Sequence, residues 1–575
     1  MIQMLELYPR PQKIKTKENT VNLNKKIEIE FIDKTLDENG LFNALNAILN
    51  EDASVQKTQT IYKCEIYYSS QIKAEGYALE VDTKKAVLFA SDACGVKNGI
   101  LTLNQLKTRG KDSVLACSIV DYPNILSRGI IEGFYGYPWT HNQRKELISY
   151  ISKYKMNTYI YAPKDDQYHR AEWRQFYQNA EIEELTDLVK HCQANYVHFV
   201  WTIHPGDSID LFSEKDFEDV LRKFEQLYAI GVRQFGILFD DITFNQDGIA
   251  QAQFINKINK TFIQVKKDVR PLITVGTRYC QAWGPDMTSY FKPFVETLDE
   301  DVEIMWTGKN TMSRLGKETF QEPLNNIITT KQLSAWWNYP VNDYCPNQLL
   351  IGKFNLIDSG IKNIKGFYSN PMNFAQSSKI ALFMIADYCW NVEVADFEDS
   401  YLASFATLDW ACKDALKILA EHVSYLRIEG NTTEDVFISE SESIRQELNV
   451  FTDSLNRDVI DSDKAKELVE IFSQIVKSMN DIEENHTNIA LYKEIEPFVR
   501  SLKHLAMATE LLLKGFSGES DRLNIVEEAK AILNECNRCK VKCLKDDGEA
   551  EIIVKAGSLI LKPFADYLIH WCTNE

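Results

Sequence analysis

Two adjacent carboxylates, Asp240 and Asp241, follow a short apolar run in the segment QFGILFDDI at 234–242. Carboxylates crowded at the end of a buried strand are costly to ionise together, so their proton affinities are expected to separate. One acid beside one base is the pairing that cleavage of a glycosidic bond requires. The same two residues could instead form a helix N-cap and favour the helix dipole, so the reading depends on what surrounds them.

The elements that would position them recur through the middle of the chain. From 123 to 400, apolar strand candidates alternate with amphipathic helix candidates: RGIIEGF (128–134), TYIYAP (158–163), VHFVWTI (197–203), QFGILFD (234–240), LITVGTRY (272–279), VEIMWTG (302–308), LSAWWNYP (333–340) and KGFYSNP (365–371). Eight such units predict a (β/α)8 barrel, whose reactive groups sit at the carboxyl ends of the strands. An open doubly wound sheet is the competing fold, but no G-x-G-x-x-G turn follows the first strand candidate.

Reading the strand ends in order collects Glu132, Gly133 and Tyr135, then Lys164, Asp165 and Asp166, then His204 and Asp207, then Asp240 and Asp241. Tyr279, Trp306 and Thr307, then Trp336, Asn338 and Asp343, and finally Asn370 complete the rim. Carboxylates and amides to meet hydroxyls, with aromatic faces to meet apolar ring faces, suit a sugar. Other readings stay open for single residues. Lys164 could form a Schiff base or pair with Asp165 or Asp166. His198, His204 and Asp207 could bind a metal, although they lack the helical i, i+4 spacing. Trp336 and Trp337 could be core.

The flanks differ in texture. Residues 1–122 mix β-branched or alternating runs, KIEIEF (26–31), CEIYYSS (64–70), YALEV (77–81) and AVLFAS (86–91), with helix-like LFNALNAIL (41–49) and VKNGILTLNQL (96–106). They predict a small α/β domain. Residues 401–575 predict a helical bundle, with Leu468, Phe472, Ile475 and Met479 on one face and Phe498, Leu502, Leu505 and Leu512 on another. GNTTEDVFISESES (430–443) reads as a loop within it, and Cys536, Cys539 and Cys543 read as one buried helical stripe rather than a zinc site.

With 83 acidic and 64 basic residues, the net charge of −19 disfavours nucleic acid and anionic membranes as partners. No signal peptide or membrane-spanning run is visible, and twelve dispersed cysteines suit a reducing compartment, so a cytoplasmic protein is expected.

The segments RGIIEGFYGYPW (128–139), YIYAPKDDQYHRAEWR (159–174), ILFDDI (237–242), EIMWTG (303–308), WWNYPVNDYC (336–345) and SNPM (369–372) together resemble glycoside hydrolase family 84, the β-N-acetylglucosaminidases that include relatives of protein O-GlcNAc hydrolase. The resemblance implies an α/β domain before the barrel and a helical domain after it. It implies a retaining exo-enzyme acting on terminal β-linked GlcNAc of a glycan or glycoprotein, in which the substrate's 2-acetamido oxygen is the nucleophile and no metal or organic cofactor is used. By resemblance Asp240 orients the acetamido N–H, and Asp241 is the general acid and then base. Gly133 and Lys164 contact sugar hydroxyls, Tyr279 the acetamido oxygen, and Trp336 walls the acetyl pocket. Asn338, Asp343 and Asn370 make further contacts to the acetamido group, the acid pair and the ring hydroxyls. An endo-acting hyaluronidase and a non-catalytic glycan-binding barrel are the alternatives.

Overall fold

The computed structural model describes residues 6–37, 41–50, 61–109, 113–243, 246–284, 286–324, 331–354, 356–358, 361, 364–428, 436–518, 522–545 and 548–574. Chain order begins with β1 (Lys13–Val21), β2 (Lys26–Phe31), β3 (Ile61–Tyr68), β4 (Tyr77–Val81), β5 (Lys85–Ala90) and β6 (Val114–Asp121). They form one sheet in the order β1-β6-β4-β5-β3-β2. The helices Leu41–Asn50 and Ala93–Arg109 bury Leu41, Leu45, Leu49, Val96, Ile100 and Leu103 against it. The sequence reading placed β2 to β5 and missed β1 and β6. β1, KIKTKENTV, exposes all but its last side chain, so it carries no apolar alternation to detect.

Eight parallel strands then close the predicted barrel: β7 (Ser127–Glu132), β8 (Thr158–Tyr161), β9 (His198–Ile203), β10 (Gln234–Leu238), β11 (Ile273–Val275), β12 (Glu303–Trp306), β13 (Ser334–Trp337) and β14 (Gly366–Ser369). Strands of a parallel barrel are covered on both faces, which is why they read as nearly continuous apolar runs. Ile131, Ile160, Val200, Leu238, Ile273, Val275, Met305 and Tyr368 fill the interior. At Gly129 the neighbouring backbone comes so close that a Cβ would lie 1.8 Å from the Thr158 carbonyl oxygen, and only glycine allows β7 and β8 to pair there. Each strand is shorter than its sequence segment. β10 stops at Leu238, so Asp240 and Asp241 stand beyond the last ladder bond rather than inside the strand.

The remaining chain is mainly helical, and both expected apolar faces are buried. Two antiparallel ribbons interrupt it, Leu426–Ile428 with Val436–Ile438 and Lys540–Lys545 with Gly548–Ile553. The stretch read as a loop at 430–443 therefore contains a strand and the start of the helix Glu442–Leu455, while its residues 430–435 lie outside the described set. The cysteine stripe needs correction too. The helix Arg522–Cys536 ends at Cys536, Cys539 follows the turn, and Cys543 sits on a ribbon strand. KVKCLK alternates with the period of a strand, and that period overrides the 4/3 spacing. All three thiols are free.

A buried ion pair joins the sheet to the barrel. Lys155 Nζ lies 3.1 Å from Asp121 Oδ2, which also accepts from the Tyr77 hydroxyl at 2.6 Å, while Asp121 Oδ1 accepts from Trp390 Nε1 at 2.7 Å. Removing one partner of such a pair leaves an uncompensated charge in low dielectric. Asp121→Ala is expected to lower unfolding free energy by about 3–5 kcal/mol. Chemical denaturation would read this as a lower midpoint, and a wild-type midpoint would rule out a structural role for the pair.

Candidate active site

The carboxyl ends of the barrel strands surround a pocket of about 520 Å³. Gly133, Lys164, Asp240, Asp241, Tyr279, Trp336, Asn338, Asp343 and Asn370, the residues to which the resemblance gives roles, all line it, as does Tyr135. They come from the carboxyl ends of six strands, β7, β8, β10, β11, β13 and β14, or from the loops that follow, so closure of the barrel is what gathers them. Glu132, Asp165, Asp166, His204, Asp207, Trp306 and Thr307 of the expected rim are not among its lining residues.

The two aspartates occupy different environments. Asp241 has φ of +53°, in the left-handed region, which turns the chain between the two side chains. Asp240 is buried and Asp241 exposed. Lys164 Nζ, itself buried, donates to Asp240 Oδ2 at 3.1 Å. His204 Nε2–H donates to the Asp240 backbone carbonyl at 2.6 Å and lies 3.6 Å from Oδ1. Asp240 Oδ1 has no hydrogen-bond partner among the described residues.

Burial alone would raise the Asp240 pKa, but Lys164, His204 and the hydrogen bond from Lys164 outweigh it and hold the carboxyl well below the usual range. Burial pulls Lys164 down, and the charges of Asp240, Tyr135 and Asp241 more than reverse that, so the ammonium is retained. Burial pushes the His204 pKa down, with Lys164 adding to that and Asp240 opposing it. Mutual crowding of the carboxylates, the argument drawn from sequence, is therefore not what governs Asp240; its bond to Lys164 is. The bond also removes two readings of Lys164. A protonated, ion-paired amine is no Schiff-base nucleophile, and its partner is neither Asp165 nor Asp166. Asp166 instead accepts from the Tyr161 and Tyr177 hydroxyls at 2.9 and 2.6 Å.

Asp241 carries a tyrosine on each carboxylate oxygen. Tyr279 donates to Oδ1 at 3.0 Å and Tyr135 to Oδ2 at 2.9 Å. Burial first, and the charges of Asp241 and Asp240 second, push the Tyr279 phenol upward, so it remains a donor. The Tyr135 backbone N–H donates to Asp343 Oδ2 at 3.0 Å, and burial raises the Asp343 pKa. On the opposite wall, Asn338 Oδ1 accepts from Trp336 Nε1 at 2.9 Å and from Asn370 Nδ2 at 3.0 Å, while its own Nδ2 donates to the Thr311 carbonyl at 3.0 Å. Asn370 Oδ1 accepts from Gly133 N at 3.3 Å. A Cβ on Gly133 would lie 2.9 Å from Cζ2 of Trp336, so glycine lets the indole close against the chain. An ionised buried carboxylate, a lattice of amides and an indole wall suit a neutral, hydroxyl-rich ring with one apolar face.

The suggested metal ligands do not converge. His198 opens β9 and His204 follows its far end, while Asp207 accepts from Thr243 N at 2.9 Å and Thr243 Oγ1 at 2.7 Å. Among the described residues no group of three His, Cys, Asp or Glu could hold a metal ion. Also among the described residues, no helix is long and apolar enough to cross a membrane. Sequence reasoning missed Trp283, Thr311, Met312, Val341 and Tyr344, which also line the pocket. Trp283 had a usable signal, a tryptophan in a polar turn just past a strand end. The others lie on long loops whose course sequence spacing does not reveal.

A family model described as beta-N-acetylglucosaminidase matches residues 128–421, and one described as glycosyl hydrolase family 20, domain 2, matches residues 4–122. The chain is 30% identical over 272 residues to Protein O-GlcNAcase of Rattus norvegicus, and equally to that of Mus musculus, across 45% of this chain and 29% of each relative. It thus spans under a third of those relatives' length. Among solved structures, CpGH84D superposes with a TM-score of 0.89 at 27% identity over 100% of both chains. CpGH84B gives 0.84 at 29% identity over 98% of this chain and 100% of its own. A Thermobaculum terrenum O-GlcNAc hydrolase mutant shares the fold, with a TM-score of 0.67 at 22% identity over 78% of this chain and 95% of its own.

If Lys164 is what keeps Asp240 ionised, Lys164→Met removes the counter-charge while burial remains, and the Asp240 carboxyl should titrate at higher pH than in the wild type. A carbon-detected NMR titration of labelled aspartate measures this, and an unmoved Asp240 signal would reject the assignment.

Proposed function

The chain belongs to the beta-N-acetylglucosaminidase family of glycoside hydrolases, family 84, and from that premise we propose that it is a retaining, exo-acting β-N-acetylglucosaminidase that uses the substrate's own acetamido group as nucleophile. The substrate is a terminal β-linked GlcNAc on a glycan or glycoprotein. One observation carries the reading: Asp240 is a buried, ionised carboxylate lining the pocket with an oxygen, Oδ1, left uncommitted. A buried acceptor without a partner is costly, and an amide N–H brought by the substrate would satisfy it.

In the first step the acetamido oxygen bonds to the anomeric carbon as the bond to the leaving oxygen breaks, and Asp241 gives that oxygen a proton. Positive charge develops on the acetamido N–H, where the Asp240 carboxylate holds it. Holding the amide over the anomeric carbon also supplies the proximity advantage of an intramolecular attack. In the second step Asp241 takes a proton from water, whose oxygen bonds to the anomeric carbon as the oxazoline bond breaks. Two inversions give net retention. Asp241 exchanges protons with the leaving group and water at the open side of the pocket, while Asp240 keeps its charge throughout. Lys164 supports that division by stabilising the ionised form of Asp240. Tyr279 and Tyr135 aim the Asp241 carboxylate, and the Asn338–Asn370–Gly133 network shapes the wall that meets the ring.

Asp241→Asn is expected to lower turnover of substrates with poor leaving groups by about 10²–10⁴-fold while sparing activated aryl glycosides. Equal losses on the two classes would remove the acid role. The matching β-glucoside, which lacks the acetamido nucleophile, should not be hydrolysed. Cleavage of it at a rate near that of the GlcNAc glycoside would end the substrate-assisted mechanism.

A further inference from the structure

Burial divides the pocket into a floor and a mouth. Asp240, Lys164, Trp336 and Asn370 are buried, whereas Asp241 is exposed. On the hydrolytic reading above, the leaving oxygen takes its proton from Asp241, so the leaving group lies on the solvent side of that carboxylate. Tyr279 and Tyr135 hold its two oxygens, and the groups beside them are aromatic and open to solvent. Tyr135 is 44% exposed, Trp283 37% and Tyr344 45%. The Trp283 indole packs on the Tyr279 ring with centroids 5.1 Å apart and planes at 39°, so the same tyrosine that bonds Asp241 supports the indole.

The turn that carries Trp283 is built into the barrel. It is a short 3-10 turn, Gln281–Trp283, tied to the loop after β12 by Gln281 N to Gly308 O at 3.0 Å and Ala282 N to Lys309 O at 2.8 Å. Tryptophan is usually largely buried, and here a third of its surface faces water from a fixed support at the edge of the pocket. A flat apolar face pairs with the C–H face of a pyranose. A Ser or Thr leaving group instead offers a methylene or methine and flanking peptide amides, which an indole face does not satisfy.

Resting on that reading of the activity, we propose that Trp283, with Tyr135 on the other side of Asp241, is the leaving-group platform and selects a second sugar ring over a peptide. The wild type should then prefer the β-1,4-linked GlcNAc disaccharide to a GlcNAc-Ser peptide. Trp283→Ala should cut the ratio of their kcat/KM values by about tenfold, with Trp283→Phe keeping most of it, since stacking on an aromatic face is of that order. An unchanged ratio in Trp283→Ala would overturn the proposal. Binding tests the platform without turnover. In Asp241→Asn protein, calorimetry should find the disaccharide bound more tightly than methyl β-GlcNAc, and adding Trp283→Ala should erase the difference. A preference that survives the alanine overturns the platform. Should the wild type cleave no GlcNAc glycoside at all, the activity reading falls, while the calorimetric comparison still decides the role of Trp283.

Discussion

The ion pair between Lys164 and Asp240 is the constraint on which the rest of the site depends. Taking both charges out of water costs several kcal/mol per ion, and only close pairing and further hydrogen bonds offset it. The offset is assembled from three strand ends. β8 leads to Lys164, β9 to His204, which holds the Asp240 carbonyl, and β10 to Asp240 itself. Lys164 also sits 5.0 Å from the centre of the Tyr135 ring, so the cation that ionises one aspartate helps place a tyrosine bonded to the other. With the buried charge settled by the protein, the second carboxylate is left to exchange protons at the mouth.

The other parts of the chain brace this frame from outside the pocket. Asp121 and Lys155 tie the N-terminal sheet to the turn before β8. From the C-terminal side, half-buried Glu494 accepts from the backbone N–H groups of Gln376 and Ser377, both at 2.9 Å, at the start of the helix Ala375–Trp390. That helix begins a few residues after Asn370, so a carboxylate far along the chain caps the element that follows the amide lattice. Burial lifts Glu494 to about 7, the cost of placing a carboxylate there.

The barrel and the membership of its rim were legible because buried parallel strands leave continuous apolar runs, and reactive groups fall at their ends. Pairing across the rim was not. Lys164 has two aspartates next to it in sequence and chooses a third 76 residues away, a choice made by barrel closure alone. β1 was invisible because its side chains face solvent, and Cys543 was misplaced because cysteines spaced by three and four fit a helix until a turn changes the period. Trp283 escaped notice because exposure at a pocket mouth leaves no mark on hydrophobic periodicity.

The left-handed backbone at Asp241 has a consequence for what that position can hold. Among residues with a side chain, Asn and Asp enter that region most readily, because their short polar groups can bond locally, while longer or branched side chains meet strain there. A glutamate would offer the same acid chemistry, but it would resist the turn that separates the two carboxylates. The identity of the proton donor is thus selected twice, by its chemistry and by the fold of the peptide that carries it. Drift at this site would be confined to a narrow set of residues even if the reaction itself were relaxed.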